Sequence, residues 1–279
     1  MTPEQLLQHH DQARLWGQAP GVVGGPDSAA AYQQALAVRR LRQQRGEVPK
    51  GFKIGFTNRT LWERYKVFGP MWGTVWDTGL VFAEPASDGS ENGPANGSAI
   101  GHLDLTGTCQ PRLEPEIVFG MRSTPPLGAS LQELFEAIEW LAPGFEVVQS
   151  HAPDWKFTAT DTMADSGLHA RLLVGQRLPV RSVAADAQAL DALLSAARVT
   201  LIQNEQVMEQ GVGANVLDSP LKALQHFLKE LRECPGAPDL QAGDVITTGT
   251  WTDAWPLQAG QQWRAEFSAP LGSVQAWMR

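Results

Sequence analysis

The stretch RLEPEIVFG (112–120) constrains the fold more than any other part of the chain. Ile117, Val118 and Phe119 put apolar side chains on both faces of a strand, as in a strand covered on both sides. Ahead of them, Glu114 and Glu116 stand two residues apart. Successive side chains of a strand point to opposite faces, so these two share a face, about 7 Å apart along the chain. Like charges turned toward a buried space repel. Each also costs roughly several kcal/mol in lost hydration unless a positive group sits with it. A divalent cation answers that need. A third acid, Glu146 in APGFEVVQS, lies in another apolar strand-like run. Three carboxylates with no His or Cys partner favour Mg²⁺ or Mn²⁺ over zinc, and leave positions on the ion for water or a chelating substrate. The alternative is a solvent-facing strand edge on which the two glutamates pair with Arg112 or Arg122.

The rest of the chain supplies the setting for such a strand. Residues 4–18 and 28–45 read as helices, the second with Tyr32, Ala35, Leu36 and Leu41 near helical spacing and Ser28 as its N-cap. From GFKIGF (51–56) the character turns to strands, at 52–56, 74–76, 79–83, 115–120 and 145–149. Helices intervene near 59–66 and 130–141. Residues 86–102, rich in Gly, Ser, Asn and Pro, read as a surface loop. Residues 198–211 read as a hairpin turning at Asn204-Glu205. A helix over 219–233 starts with Ser219 as cap and Pro220 in its first turn. Short strands close the chain at 244–248, 262–268 and 272–277. Strands and helices do not alternate regularly, which argues against a doubly wound sheet or a (β/α)₈ barrel. The expectation is an α+β protein: an N-terminal helical section, 1–50, before a mixed-β catalytic body, 51–279.

Charge and composition exclude several function classes. The 279 residues carry a formal net charge of -8, with no block of like charge, which disfavours nucleic acid and anionic membranes as partners. No run approaches the roughly 18 apolar residues of a membrane span, and the N-terminus has no apolar signal region. The two cysteines, Cys109 and Cys234, form neither a CxxC nor a zinc spacing. These features predict a cytoplasmic enzyme or binding protein.

Five segments, GFKIGF, RLEPEIVFG, GFEVVQS, WKFTATDTMAD and LQAGDVITTG, occur in an order that resembles the 2-keto-4-pentenoate hydratase and 4-oxalocrotonate decarboxylase branch of the fumarylacetoacetate hydrolase superfamily. The similarity runs from about residue 50 to the C-terminus, and the N-terminal helices fit that branch too. It implies a mixed, rolled β-sheet body and an oligomer. It also implies an ExE…E site for Mg²⁺ or Mn²⁺ that maps onto Glu114, Glu116 and Glu146. The family's lysine maps onto Lys53 and an acid of the following loop onto Asp77. Two stretches depart from the hydratase pattern. Ala164-Asp165-Ser166-Gly167-Leu168-His169 stands where ADNAS is common, and an arginine often found after the third glutamate's strand is replaced near His151.

Each candidate has a plainer alternative. Lys53, between Phe52 and Ile54, either snorkels from a strand edge or is held in a site; the resemblance implies acid/base work or oxyanion binding. Asp77 is a proton carrier or a turn residue. His169 is a pocket acid/base or a core histidine. Asp161 caps a local turn or backs the site. Thr250 binds a substrate carboxylate or ends a strand. Trp76, with Trp72, Trp251 and Trp255, either anchors packing or lines a pocket for an apolar substrate end.

The resemblance implies a lyase of aromatic-compound degradation acting on a 2-hydroxydienoate or related 2-oxo acid. Hydration stands first, decarboxylation of a vinylogous 2-oxo diacid second, and C–C hydrolysis of an acylpyruvate third. The non-enzymatic alternative is a small-molecule-binding or partner subunit on the same fold, and association with a pathway enzyme is conceivable on either reading.

Overall fold

The structure is a computed structural model in which residues 1–85 and 98–279 are described. Strand Arg112–Met121 lies in the middle of the larger sheet. Among the described residues that sheet has nine strands. Its main path runs Met71–Trp76, Pro49–Gly55, Val245–Thr247, Arg112–Met121, Ile138–Val148, His169–Val174, Leu80–Phe82. The second sheet runs Gln206–Val212, Arg198–Gln203, Gln262–Phe267, Ser273–Met278, Ser98–Leu103, Glu84–Pro85. Parallel and antiparallel pairs occur in both, so the protein is a mixed α+β fold as its irregular element order predicts.

The N-terminal helices pack on this body. Leu6, Val23 and Leu36 share one apolar core with Phe52 and Trp72. The first helix spans Pro3–Asp11, opened by a Thr2/Gln5 capping box, and stops well short of residue 18. Ala13 turns into the left-handed region at φ 46°, and the His9 ring bonds the Arg14 carbonyl, which ends the helical ladder. The second helix spans Ser28–Gln44, and its cap is Asp27 rather than Ser28: the Asp27 carboxylate accepts from the Ala30 amide at 2.8 Å.

Other boundaries also move. The helix after Ser130 ends at Ala137, and Ile138–Val148 continues as a strand. Pro143 inside that run is incompatible with a helix interior and biases the residue before it toward extended backbone. Of the predicted loop 86–102, residues 86–97 lie outside the described residues, and Ser98–Leu103 is a strand paired in parallel with Ser273–Met278. The strand predicted at 74–76 starts three residues earlier, at Met71, and takes in Trp72 as well as Trp76. Strand His169–Val174 and helix Ala187–Ala196 have no counterpart in the sequence reading. The hairpin does: Asn204 and Glu205 both take positive φ, 45° and 72°, between strands Arg198–Gln203 and Gln206–Val212. Among the described residues, no helix is long and apolar enough to cross a membrane.

The sheet register positions the acids. Glu114 lies directly opposite Glu146, and Glu146 opposite Leu172. The next row is Glu116, Gly144, Val174. One row further, Lys53, Thr247, Val118 and Ala142 align. Directly opposed residues share a face, so three glutamates, a lysine and a threonine crowd one end of it. Val118, Ala142, Leu172 and Val174 form its dry floor.

Candidate metal centre

The three glutamates converge. Glu114, Glu116 and Glu146 each offer a carboxylate oxygen within 4.8 Å of the others. Glu116 and Glu146 are fully buried and Glu114 is partly so. Gly144, opposite Glu116 in register, lets the strands close tightly: a Cβ there would come within 2.7 Å of Val118 Cγ2 and 2.9 Å of the Leu173 carbonyl oxygen. Neither Arg112 nor Arg122 pairs with the glutamates among the described residues: Arg112 lies over the Trp155 ring, 4.3 Å from its centroid. The solvent-edge alternative does not describe this arrangement.

One side of the cluster is held by donors. Glu116 Oε2 accepts from the Gly249 amide at 2.6 Å and from the Thr247 hydroxyl. Gly249 sits at φ +111°, and a Cβ there would come within 2.1 Å of Thr57 Oγ1, so the turn that aims its N–H requires glycine. Lys53, 2% exposed, places Nζ 3.3 Å from Glu146 Oε1 and donates to the Gly167 carbonyl at 2.9 Å. His169 Nδ1 stands 2.8 Å from the same Glu146 oxygen.

The other side has no such partners. Glu116 Oε1 and Glu146 Oε2 are buried with no hydrogen-bond partner among the described residues. An orphaned buried carboxylate oxygen is costly, and two of them beside a third acid outnumber the single lysine charge. An all-oxygen donor set with unfilled lone pairs fits a hard divalent cation.

The electrostatics agree. Burial, reinforced by the neighbouring acids, pushes the Glu114 carboxyl up to about 7 and Glu116 well above the usual range. Burial alone would lower Lys53, but the three glutamates hold it above the ordinary lysine value, so it is a cation at neutral pH. A carboxyl whose pKa is higher in the fold than in the unfolded chain contributes stability at low pH that is lost as pH rises through the folded value. Burial depresses His10 and His169, which act in the opposite sense only below the ordinary imidazole value. In EDTA the melting temperature is therefore expected to fall as pH rises from the ordinary glutamate value of about 4.5 through about 7, most clearly above the ordinary imidazole value of about 6.5, and saturating Mg²⁺ to abolish the fall. A flat EDTA profile over that interval would mean that the carboxylates do not repel one another.

A cavity of about 360 Å³ opens onto the cluster. Lys53, Glu114, Thr250 and Trp251 line it near the acids, and Tyr65, Trp155 and Phe157 form an aromatic wall. Of Thr250, Trp76 and Asp161 only Thr250 lies on this cavity, and its hydroxyl also bonds the Thr252 carbonyl at 3.0 Å; of the four tryptophans considered for a pocket only Trp251 lines it.

Four other candidates are elsewhere. Asp77 is exposed, and its carboxylate caps the Val48 and Thr78 amides, both at 2.9 Å. It is a turn residue. Asp161 accepts from the amides of Gly21, Gly24 and Thr158, clamping the N-terminal loop onto the body. Trp76 packs under the Arg42 guanidinium, 4.3 Å away, outside the cavity. His169 does not line the cavity; its ring bonds Glu146 and so orients a carboxylate. Sequence reasoning missed Thr247, Gly249, Gly167, Tyr65, Trp155 and Phe157. Trp155 and Phe157 fall within the segment WKFTATDTMAD, Thr247 and Gly249 within LQAGDVITTG, and Gly167 within the stretch that departs from the hydratase pattern, but no local signal gave any of them a role. Arg112 appeared there merely as a counter-ion.

The comparisons with known proteins follow the same lines. Residues 96–277 match the model of the fumarylacetoacetate (FAA) hydrolase C-terminal family. A 2-hydroxyhexa-2,4-dienoate hydratase of Comamonas testosteroni is 31% identical over 233 residues, 83% of this chain and 79% of that protein. A 4-oxalocrotonate decarboxylase of Pseudomonas sp is 27% identical over 278 residues, 98% of this chain and 97% of that one. Among solved structures, 4-oxalocrotonate decarboxylase from Pseudomonas putida G7, complexed with magnesium and adipate, has the same fold. Its TM-score is 0.82 at 24% identity, covering 100% of this chain and 99% of that one.

Proposed function

The chain belongs to the fumarylacetoacetate hydrolase C-terminal family, and we propose that within it the protein is a metal-dependent lyase that adds water to a 2-hydroxydienoate or its 2-oxo-4-enoate form. The observation that carries the reading is the convergence of the fully buried Glu116 and Glu146 with the partly buried Glu114 and the buried Lys53, the last two lining a single cavity. Support for hydration over other lyase chemistry comes from the relatives, hydratases prominent among them.

On this reading Glu114, Glu116 and Glu146 hold Mg²⁺ or Mn²⁺. A divalent ion there supplies positive charge where an enolate oxygen develops on the substrate. The remaining work falls to the chain itself. Lys53, fixed by the Gly167 carbonyl and Glu146, presents a proton and a positive charge to the reacting oxygen or carbon. His169 keeps Glu146 turned toward the ion by bonding its other oxygen. Tyr65, Trp155 and Phe157 offer an aromatic wall against which a planar diene packs. The Thr250 hydroxyl lies where it can bond a substrate oxygen.

Purified protein with Mg²⁺ or Mn²⁺ is expected to consume 2-hydroxypenta-2,4-dienoate, followed as loss of its ultraviolet absorbance, and to stop on addition of EDTA. Absence of turnover on dienoates, oxalocrotonate and acylpyruvates alike would put a binding or partner role in its place.

Decarboxylation of a vinylogous 2-oxo diacid is the second reading. Arg112 favours it: its guanidinium lines the cavity and makes no ion pair among the described residues, as a site for a second carboxylate would. Release of CO₂ from oxalocrotonate, faster than hydration of the monoacid, would select it.

A further inference from the structure

A second cluster of ligand-type side chains lies outside the cavity. His10 comes from the last turn of helix Pro3–Asp11, His151 from the loop after strand Ile138–Val148, and Asp165 from the end of helix Ala159–Ala164. Their donor atoms lie within 4.8 Å of one another. The side chains of His151 and Asp165 are fully buried and that of His10 is 8% exposed. Nothing in the proposed chemistry uses them.

The contacts within the cluster are unequal. His151 Nδ1 bonds Asp165 Oδ1 at 2.8 Å, and the His151 amide bonds Asp165 Oδ2 at 3.1 Å. His10 Nε2 approaches the same Oδ1 at 3.0 Å, off the hydrogen-bond direction, and has no other partner among the described residues. A buried imidazole nitrogen beside a carboxylate oxygen, at contact distance but off the hydrogen-bond direction, leaves acceptor capacity on both atoms that a proton or a metal cation can take up. The spacing is a few tenths of an ångström tighter than a metal cation needs, within reach of side-chain rotation: donors about 2.0–2.1 Å from a tetrahedral ion stand roughly 3.3–3.4 Å apart. The two observed separations from Asp165 Oδ1 are 2.8 and 3.0 Å. The rings of His10 and His151 lie 4.3 Å apart, tilted by 48°, so the two imidazoles converge on the carboxylate without stacking flat.

We propose that His10, His151 and Asp165 form a second cation site, separate from the glutamates, which takes Zn²⁺ or a neighbouring first-row transition ion. Two imidazoles and one carboxylate are borderline donors that suit such ions better than Mg²⁺. The site joins the N-terminal helix to Asp165. That residue directly precedes the segment holding the Lys53-bonding Gly167 carbonyl and His169. Its role is structural: it fastens the N-terminal helix to the wall behind the metal centre.

The test titrates metal-free, full-length protein with ZnCl₂ by calorimetry and with Co²⁺ in the visible, for the wild type and for His10→Gln and His151→Asn. One zinc equivalent is expected to bind at least tenfold more weakly in each variant, with visible Co²⁺ bands weakened to match and Mg²⁺ affinity unchanged within twofold. Equal zinc stoichiometry and affinity in wild type and His10→Gln would overturn the proposal. Should the histidine variants not fold, Glu114→Gln/Glu116→Gln decides. With the histidines intact it retains one tight zinc equivalent if the second site exists, and loses all zinc binding if it does not.

Discussion

Glu116→Gln is expected to lower turnover at saturating metal by at least ~10³-fold, about 4 kcal/mol of transition-state stabilisation, while making the metal-free protein more stable. The glutamine carbonyl can still accept from the Gly249 amide and the Thr247 hydroxyl, so the fold keeps those bonds. The amide NH₂ then replaces the orphaned Oε1 and points donor hydrogens where a cation would sit. One of three mutually repelling buried acids is gone, and the carboxyl removed is one whose charge the fold resists. For a chain of this size a gain of about 1 kcal/mol raises the melting temperature by roughly 2–4 °C. Isothermal titration with Mg²⁺, turnover, and thermal unfolding in EDTA together check the prediction. A variant that keeps its metal affinity, or unfolds earlier than the wild type in EDTA, would show that Glu116 is a structural acid and no ligand.

The second large effect is at Lys53. Lys53→Met fills similar space along the strand but removes the one positive charge among the acids. Turnover is expected to fall by about 10²–10⁴-fold, the usual range for loss of a positioned proton donor. Metal affinity should hold or rise, because the glutamates lose a competing cation. In EDTA the variant should melt earlier than the wild type, since three acids then face one another uncompensated and the Gly167 carbonyl loses its donor. These opposite signs separate the two residues: Glu116→Gln loses metal and gains metal-free stability, and Lys53→Met does the reverse. Near-normal turnover in Lys53→Met would reduce the lysine to a counter-charge.

Strand periodicity placed Glu114 and Glu116 on one face, and the apolar run around Glu146 marked a third acid in a buried strand. Those are properties of a few consecutive residues. Whether Glu146 lies beside them is a matter of register, and register depends on pairing across the sheet. Thr247, which bonds Glu116, lies 131 residues away in the chain. The misplaced candidates share one cause. Asp77 and Asp161 are polar residues near turns, and a local reading cannot tell which of them spends its oxygens on backbone amides. His169 and Trp76 are versatile side chains whose orientation depends on distant elements. His10, on the first helix, reaches the cluster around Asp165 only because the N-terminal segment folds back over the body.

The chain's own pattern of charge and hydrophobicity therefore determined that two acids share a buried face and that the body is mixed α+β, because the alternation of a strand is built into its backbone geometry. Tertiary structure alone decided which groups stand within reach of that face. Cross-strand register, and the closing of loops from far along the chain, bring the third glutamate, the lysine and the aromatic wall together.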